Sequence, residues 1–164
     1  MNSALLEQLY LRFARELLLY LCSLSRDRAL AEDLMQDTFL KALLALPDGH
    51  PNFRAWLYRV ARNLYFTHYR RHSREVPHDE QPDAGPGPEE EYLQTEEKRR
   101  LYRALQELPE TQREVMVLYY FSGLSHREIA QAMELRADHV RVLASRARQK
   151  MQRILNDDGQ GDMP

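Results

Sequence analysis

The chain is organised around the run Ser125-His126-Arg127-Glu128-Ile129-Ala130-Gln131-Ala132-Met133, a break at Glu134-Leu135-Arg136, and a second periodic run from Ala137 to Met151. Ser125 and Glu128 have the spacing of a capping box, in which each side chain accepts a hydrogen bond from the other residue's backbone N–H. Gly123, just upstream, suits a left-handed turn after the preceding helix, which opens near Pro109. The stretch therefore predicts a helix-turn-helix.

The last of these helices has one apolar stripe and is otherwise basic or polar. The stripe is Val140, Ala144, Ala147 and Met151, spaced by four, three and four residues. The other side carries His139, Arg141, Ser145 and Arg148, flanked by Arg146, Lys150 and Arg153, and no acidic residue lies between His139 and Arg153. Such a helix fits the major groove of DNA. The alternative is a solvated basic helix packed on a small bundle.

The composition indicates a helical protein of moderate size. The chain has 164 residues and a formal net charge of −2, which allows one ordinary domain or two small ones. Apolar residues recur at helical spacing, so we expect an all-α fold. Its one cysteine, Cys22, cannot form a disulfide within the chain, which suits a reducing cytoplasm. The apolar run Leu17 to Leu21 is too short to cross a membrane, so we expect a cytoplasmic protein without membrane insertion.

Charge is strongly segregated along the chain. Residues 49–74 hold six arginines and no acid, whereas residues 75–97 hold nine acids and no Lys or Arg. Residues 75–91 also contain four of the eight prolines, which favours an extended or disordered linker. We therefore expect two small helical domains, 1–74 and 92–156, joined by an acidic flexible linker at 75–91 and followed by a disordered tail at 157–164.

The arginine-rich block predicts a helix that binds single-stranded nucleic acid. Asn52 can cap a helix from Phe53 to about His72, whose apolar stripe includes Trp56 and Leu57. Its remaining faces carry Arg59, Arg62, Asn63, Tyr65, Phe66, Tyr69 and Arg70. Cations can follow the phosphates while aromatic rings stack on unpaired bases. In the alternative interpretation the aromatic rings belong to the core.

Three motifs, in order, resemble those of bacterial sigma factors. Residues 31–42, AEDLMQDTFLKA, resemble the polymerase-binding motif, and residues 53–63, FRAWLYRVARN, resemble the promoter-melting helix. Leu108-Pro109-Glu110 with the helix-turn-helix resembles the region that reads the −35 element. The short two-domain layout is similar to the extracytoplasmic-function (ECF) group. The resemblance implies a transcription initiation factor without catalytic residues, cofactor, metal or small-molecule substrate.

The resemblance also implies partners and sites. Core RNA polymerase would be bound through its β′ clamp helices, by Asp33, Gln36 and Asp37, and through its β flap. The loop 47–52 would hold a flipped base of the −10 element, with Asp48, His50 and Asn52 as site residues, and the arginine-rich helix would hold the melted strand. The −35 element would meet Arg136, Asp138, His139, Arg141, Val142, Ser145, Arg146 and Arg148. An anti-sigma factor is expected as a further partner.

The helix-turn-helix departs from the family pattern at four positions. A glycine is usual where this chain has Glu134 and where it has Asp138, and Ser or Pro is common where it has Arg136. An arginine is common where it has Leu143. The turn and the upstream end of the reading helix are therefore unusual, so no promoter sequence can be transferred from the family.

Two other classes of function remain as rivals. Glu32, Asp33 and Asp37 could be metal-binding carboxylates of a nuclease, although no further ligand is obviously placed to complete such a site. A helix-turn-helix repressor or activator would bind its operator without polymerase. His68 and His72 are spaced i, i+4 and could ligate a metal, but they are interpreted as partly exposed residues of a DNA-binding helix.

Overall fold

A computed structural model describes residues 3–45, 52–73 and 88–161 of the chain. Within these ranges the regular elements are all helical, which confirms the all-α prediction. They are α1 (Ser3–Ser25), α2 (Arg28–Ala45), α3 (Phe53–His72), a short 3-10 helix (Pro88–Tyr92), α4 (Glu96–Gln106), α5 (Glu110–Tyr120), α6 (His126–Met133) and α7 (Ala137–Gly161).

Helices α1, α2 and α3 form the first unit. Side chains cap two of the helix starts. Asp27 Oδ1 accepts from the Leu30 amide at 3.2 Å, and Asn52 Oδ1 accepts from the Ala55 amide at 3.3 Å, the second as the sequence predicted. Leu17, Leu57 and Ala61 are completely buried between the helices. This packing leaves the polar faces of α2 and α3 pointing away from the core of the unit.

Helices α4 to α7 form the second unit, which contains the helix-turn-helix. The capping box is present, with the Glu128 amide donating to Ser125 Oγ at 3.1 Å and the Ser125 amide donating to Glu128 Oε1 at 3.0 Å. Gly123 has φ +68°, as expected for a left-handed turn. The whole predicted stripe of α7 is buried, and Leu143 is buried beside it. Leu143 therefore belongs to the core of this unit.

The two units share one continuous core, a feature that the sequence did not predict. Helix α3 packs on α6, and α1 packs on α5. At this junction the ring of Tyr20 meets that of Tyr58 edge to face, with 5.4 Å between centroids. Both tyrosines are essentially inaccessible to solvent. The described residues of the two predicted domains are thus arranged as one closed body.

The structure differs from the predicted disorder at both boundaries of the second unit. Residues 75–87 lie outside the described residues, but Pro88–Tyr92, the end of the predicted linker, is helical. Glu90 makes a two-pronged ion pair with Arg103 at 3.0 and 3.2 Å, and Glu91 pairs with Arg28 at 2.9 Å. The linker prediction is wrong for these residues because their carboxylates find partners in both units. Residues 157–161 are also helical, since extending an existing helix needs no new nucleation.

Cys22 is expected to react slowly with thiol reagents. Its side chain is buried in α1, and burial raises the pKa of its thiol to about 12. Since the thiolate is the reactive species, labelling at neutral pH should be about a hundredfold or more slower in the native protein than in urea. The labelling rate can be measured with a reagent that releases a coloured thiol when it reacts with Cys22. Equally fast labelling in both states would show that Cys22 is an accessible, reactive thiol.

Candidate nucleic-acid interface

Helix α7 presents a fully exposed polar face opposite its buried stripe. All eight residues predicted to read DNA, seven on α7 and one just before it, are exposed: Arg136, Asp138, His139, Arg141, Val142, Ser145, Arg146 and Arg148. The Arg148 guanidinium lies 5.6 Å from the Tyr119 ring centre, while Arg141 lies 3.8 Å from the Asp138 carboxylate. The guanidiniums of this face are therefore held only by exposed contacts and are available to an anionic ligand.

The electrostatics of this face are visible at His126, the first residue of α6. Burial, and then the positive charges of Arg148 and Arg141, lower the pKa of its imidazole below the usual value. The part of this shift that comes from the two guanidiniums reflects the positive charge of the α7 face. A positive face attracts the phosphate backbone of DNA.

Helix α3 places its predicted strand-binding residues unevenly. Arg59, Asn63, Tyr69 and Arg70 are exposed, and Phe66 is half-buried beneath the Arg62 guanidinium, which lies 4.6 Å from the ring centre. Tyr65 is 6% exposed, and its hydroxyl donates to the Leu24 carbonyl at 3.0 Å. This placement favours the core interpretation for Tyr65 and leaves Tyr69 as the exposed ring. Asp48 and His50 lie outside the described residues.

Arg62 reaches from α3 to a buried carboxylate of the second unit. Glu114 Oε2 accepts from Arg62 Nε at 2.6 Å and from the Tyr20 hydroxyl at 2.7 Å. The Glu114 side chain is 2% exposed. Burial and the Glu114 charge both raise the pKa of the Tyr20 hydroxyl well above its usual value. Burial lowers the pKa of Arg62, but attraction to Glu114 outweighs it and the net shift is upward, so this junction contains a charged and hydrogen-bonded triad.

Three further contacts join α3 and its cap to the helix-turn-helix. Asn52 Nδ2 donates to Gln131 Oε1 at 3.0 Å, Arg59 pairs with Glu134, and Arg54 donates to the Ser122 carbonyl at 2.6 Å. Three of the residues predicted to contact the melted strand, Asn52, Arg59 and Arg62, are therefore engaged by α5, by α6 or by the turn that follows α6. The two faces predicted to bind DNA differ: that of α7 is open, and that of α3 is partly covered.

Sequence reasoning missed the roles of Arg54 and Glu114. No sequence signal marked Glu114, because the polar run Glu110 to Glu114 precedes the apolar residues 115–118 and resembles the exposed start of a helix, whereas Arg113 and Glu114 are both buried. Charged residues are rarely buried unless they are paired, so the burial itself requires a partner for Glu114. Its partners lie 52 and 94 residues away, a separation that no local pattern reveals.

Helix α2 carries an exposed acidic patch. Asp33, Gln36 and Asp37 are exposed, while Ala31, Leu34, Met35 and Thr38 are buried on the opposite face. Glu32, which the nuclease alternative needs, is hydrogen-bonded to Arg28 at 3.0 Å. Within the described ranges, no group of three or more His, Cys, Asp or Glu side chains is placed to hold a metal ion.

The rings of His68 and His72 stack, with 3.9 Å between centroids, and His72 Nδ1 lies 3.1 Å from the His68 carbonyl oxygen. Both histidines lie in the last turns of α3, which ends at His72.

No helix in the described part of the chain is long and apolar enough to span a membrane.

Two family models match the chain. The model of Sigma-70 region 2 matches residues 9–75, and the model of Sigma-70, region 4 matches residues 98–151. The chain is 29% identical over 158 residues to the ECF RNA polymerase sigma factor SigM of Bacillus subtilis, covering 92% of this chain and 95% of the relative. It is 35% identical over 147 residues to the ECF RNA polymerase sigma factor EcfG of Rhodopseudomonas palustris, covering 85% and 79%.

Two solved structures are similar to the whole fold. The sigma factor RpoE of Bartonella quintana, in complex with the anti-sigma factor NepR, matches with a TM-score of 0.72 and 28% identity, covering 92% of this chain and 96% of that one. CnrH in complex with the cytosolic domain of CnrY matches with a TM-score of 0.67 and 28% identity, covering 96% and 91%. The similarity therefore extends across both units.

Proposed function

Because the chain belongs to the extracytoplasmic-function (ECF) group of RNA polymerase sigma factors, we propose how its surfaces divide the work of transcription initiation. A sigma factor binds core polymerase and recognises promoter DNA. The proposal assigns polymerase binding to α2, strand binding to α3 and −35 reading to α7, and it places this work in the cytoplasm.

The observation that carries the proposal is the division of α7 into a buried apolar stripe and an exposed basic face. A helix anchored in this way can enter the major groove without exposing apolar surface, and its guanidiniums can donate two hydrogen bonds to guanine or pair with phosphate. The capping box of α6 and the turn at Glu134 fix the angle between the two helices. We assign −35 reading to the eight exposed residues of this face.

The α2 patch suits a protein partner more than DNA. Asp33 and Asp37 are one helical turn apart and exposed, so together they offer two carboxylates on one face. Carboxylates repel the phosphate backbone but complement a basic protein surface. We assign these residues, with Gln36, to the clamp helices of the polymerase β′ subunit, and we assign a contact with the β flap to the second unit.

The α3 face suits the melted −10 strand. It combines exposed cations, Arg59 and Arg70, with an exposed ring, Tyr69. This combination binds single strands, because unpaired bases can stack on rings while cations follow the phosphates. Asn63 lies on the same helix and can add a hydrogen bond. The assignment requires that the contacts of α3 with α5 and α6 be given up when DNA binds.

An anti-sigma factor is proposed as a further partner. The similar sigma factor RpoE is bound by the anti-sigma factor NepR, and the similar CnrH is bound by the cytosolic domain of CnrY. Those complexes are formed by relatives whose whole chains have the same arrangement of two units. Affinity purification of the tagged chain from its own bacterium tests both partners together. We expect the polymerase subunits and one small additional protein.

Arg141→Ala is expected to relax promoter preference at a single position. If the Arg141 guanidinium contacts a base edge, its loss should weaken binding to the best −35 sequence by about 1–3 kcal/mol and leave the other sequences less affected. Competition binding with a randomised −35 duplex measures this. Lys150→Ala is the matched control: it removes a charge from the same helix, so any loss should be uniform across sequences.

Two results would contradict the base contact of Arg141. An even loss across all sequences, with a salt slope lower by about one, would mean that the side chain contacts phosphate. Unchanged affinity and unchanged preference would place Arg141 outside the DNA interface.

A further inference from the structure

The residue at the helix-turn-helix turn is conformationally costly. Glu134 follows α6 with φ 56° and ψ 44°, in the left-handed region, and its amide donates to the Ala130 carbonyl. Left-handed backbone is unfavourable for residues with a Cβ and is readily adopted by glycine. The geometry of the turn does not explain why the residue is glutamate, since glycine would satisfy that geometry better. We therefore looked for the explanation in the contacts of the glutamate side chain.

The side chain of Glu134 pairs with Arg59 of α3. Arg59 is one of the cations assigned to the melted strand. A carboxylate at this position occupies a guanidinium that would otherwise meet a phosphate. Both side chains are 53% exposed, so the pair is open to solvent and can exchange for another anion.

Neighbouring contacts act on the same helix in the same way. Glu114 holds Arg62, and Gln131 holds Asn52. Together with Glu134, these residues of the second unit occupy three polar side chains of α3 and its cap, those of Asn52, Arg59 and Arg62. These contacts extend from the cap of α3 to the middle of the helix.

We propose that Glu134 is an internal substitute for a promoter phosphate, which holds Arg59 and adds to the stability of a closed state of the free protein that competes with binding of the −10 strand. This inference rests on the proposed strand-binding role of α3. Opening separates α6 from α3 and exposes Arg59, Arg62 and Asn52 together. The strand therefore binds only those protein molecules that are open. Any change that increases the open fraction increases the apparent affinity for the strand.

The test measures how tightly the full-length protein binds labelled oligothymidylate. This probe offers only phosphates and unpaired bases, the two groups that α3 is proposed to contact. Glu134→Gln removes the charge and keeps the strained backbone, and Glu134→Gly removes both charge and strain. Each variant should bind the probe about two- to fivefold more tightly than the unaltered chain, the range set by one exposed ion pair. Glu107→Gln is the matched control, since it removes an exposed acid from the same unit and should leave affinity unchanged.

A distance measurement separates opening from a simple gain of net charge. Spin labels attached at Lys41→Cys in α2 and Lys150→Cys in α7 report the separation of the two units. Cys22 is buried and is therefore not expected to take up label. Both Glu134 variants should shift the distance distribution of the free protein toward longer values, and Glu107→Gln should not. Glu134→Gly should also raise the melting temperature of the second unit relative to Glu134→Gln.

The outcomes distinguish this inference from the proposed function. If the unaltered chain binds the probe and both Glu134 variants match it in affinity and distance, the closed state does not depend on Glu134 and the inference is wrong, while the role of α3 stands. If neither the unaltered chain nor any variant binds the probe, the strand-binding role of α3 fails, and the inference fails with it.

Discussion

Replacing both Asp33 and Asp37 by arginine is expected to abolish stable binding to core polymerase. Both side chains are exposed on one face of α2, so the substitutions should leave the core of the first unit intact. Reversing two charges at a complementary interface replaces attraction by repulsion, which costs about 3 kcal/mol or more, roughly a hundredfold in Kd. Surface-immobilised core enzyme and a concentration series of each form measure this affinity.

The control for this experiment reverses the same number of charges elsewhere. Glu7 and Glu97 are exposed residues of α1 and α4, so Glu7→Arg with Glu97→Arg gives an equal change in net charge. We expect the control to retain affinity within about threefold, since distant exposed charges are screened at physiological salt. Equal affinities of both double variants would mean that the α2 patch is not the polymerase contact.

Glu114→Ala is expected to destabilise the closed arrangement of the two units. The substitution leaves the buried Tyr20 hydroxyl without its carboxylate acceptor and Arg62 without its counter-charge. An unsatisfied buried hydroxyl and a broken, largely buried ion pair together cost about 2–4 kcal/mol. Urea denaturation followed by circular dichroism should show a lower midpoint, and the two units should separate at lower urea than in the unaltered chain.

Arg62→Ala and the double variant complete this measurement. Since Arg62 is partly exposed, its loss should cost less than the loss of Glu114. The double-mutant cycle should give a coupling of about 1.5–3 kcal/mol, as for hydrogen bonds to charged groups. A coupling near zero would mean that Arg62 and Glu114 do not depend on each other and that the junction is held by the apolar core alone.

Local patterns were enough to predict the helices and most of their ends. The capping box at Ser125, the cap at Asn52 and the left-handed Gly123 are all where the sequence placed them, because each depends on residues within a few positions. The apolar stripe of α7 was also correct. For Leu143 the family resemblance indicated only that a common arginine is absent. It did not predict that the leucine packs in the core.

The closed packing could not be predicted, because it depends on pairings across long separations. The contacts of Arg62 with Glu114 and of Asn52 with Gln131 join residues 52 and 79 positions apart. For the candidate site, the sequence predicted which α7 residues would be exposed, since burial follows the helical period. It left two interpretations of Tyr65, Phe66 and Tyr69, and the structure separates them by burying Tyr65 and exposing Tyr69.

Transcription in vitro with purified core polymerase and fragmented genomic DNA tests the account most directly. With this protein added, RNA 5′ ends should cluster at a few start sites whose upstream sequences share two elements, near −35 and −10. Arg141→Ala should broaden the −35 element alone, and the Asp33→Arg, Asp37→Arg variant should give no start sites. Start sites that do not depend on the protein, together with tight binding of the free protein to an operator duplex, would contradict the account and favour a polymerase-independent regulator.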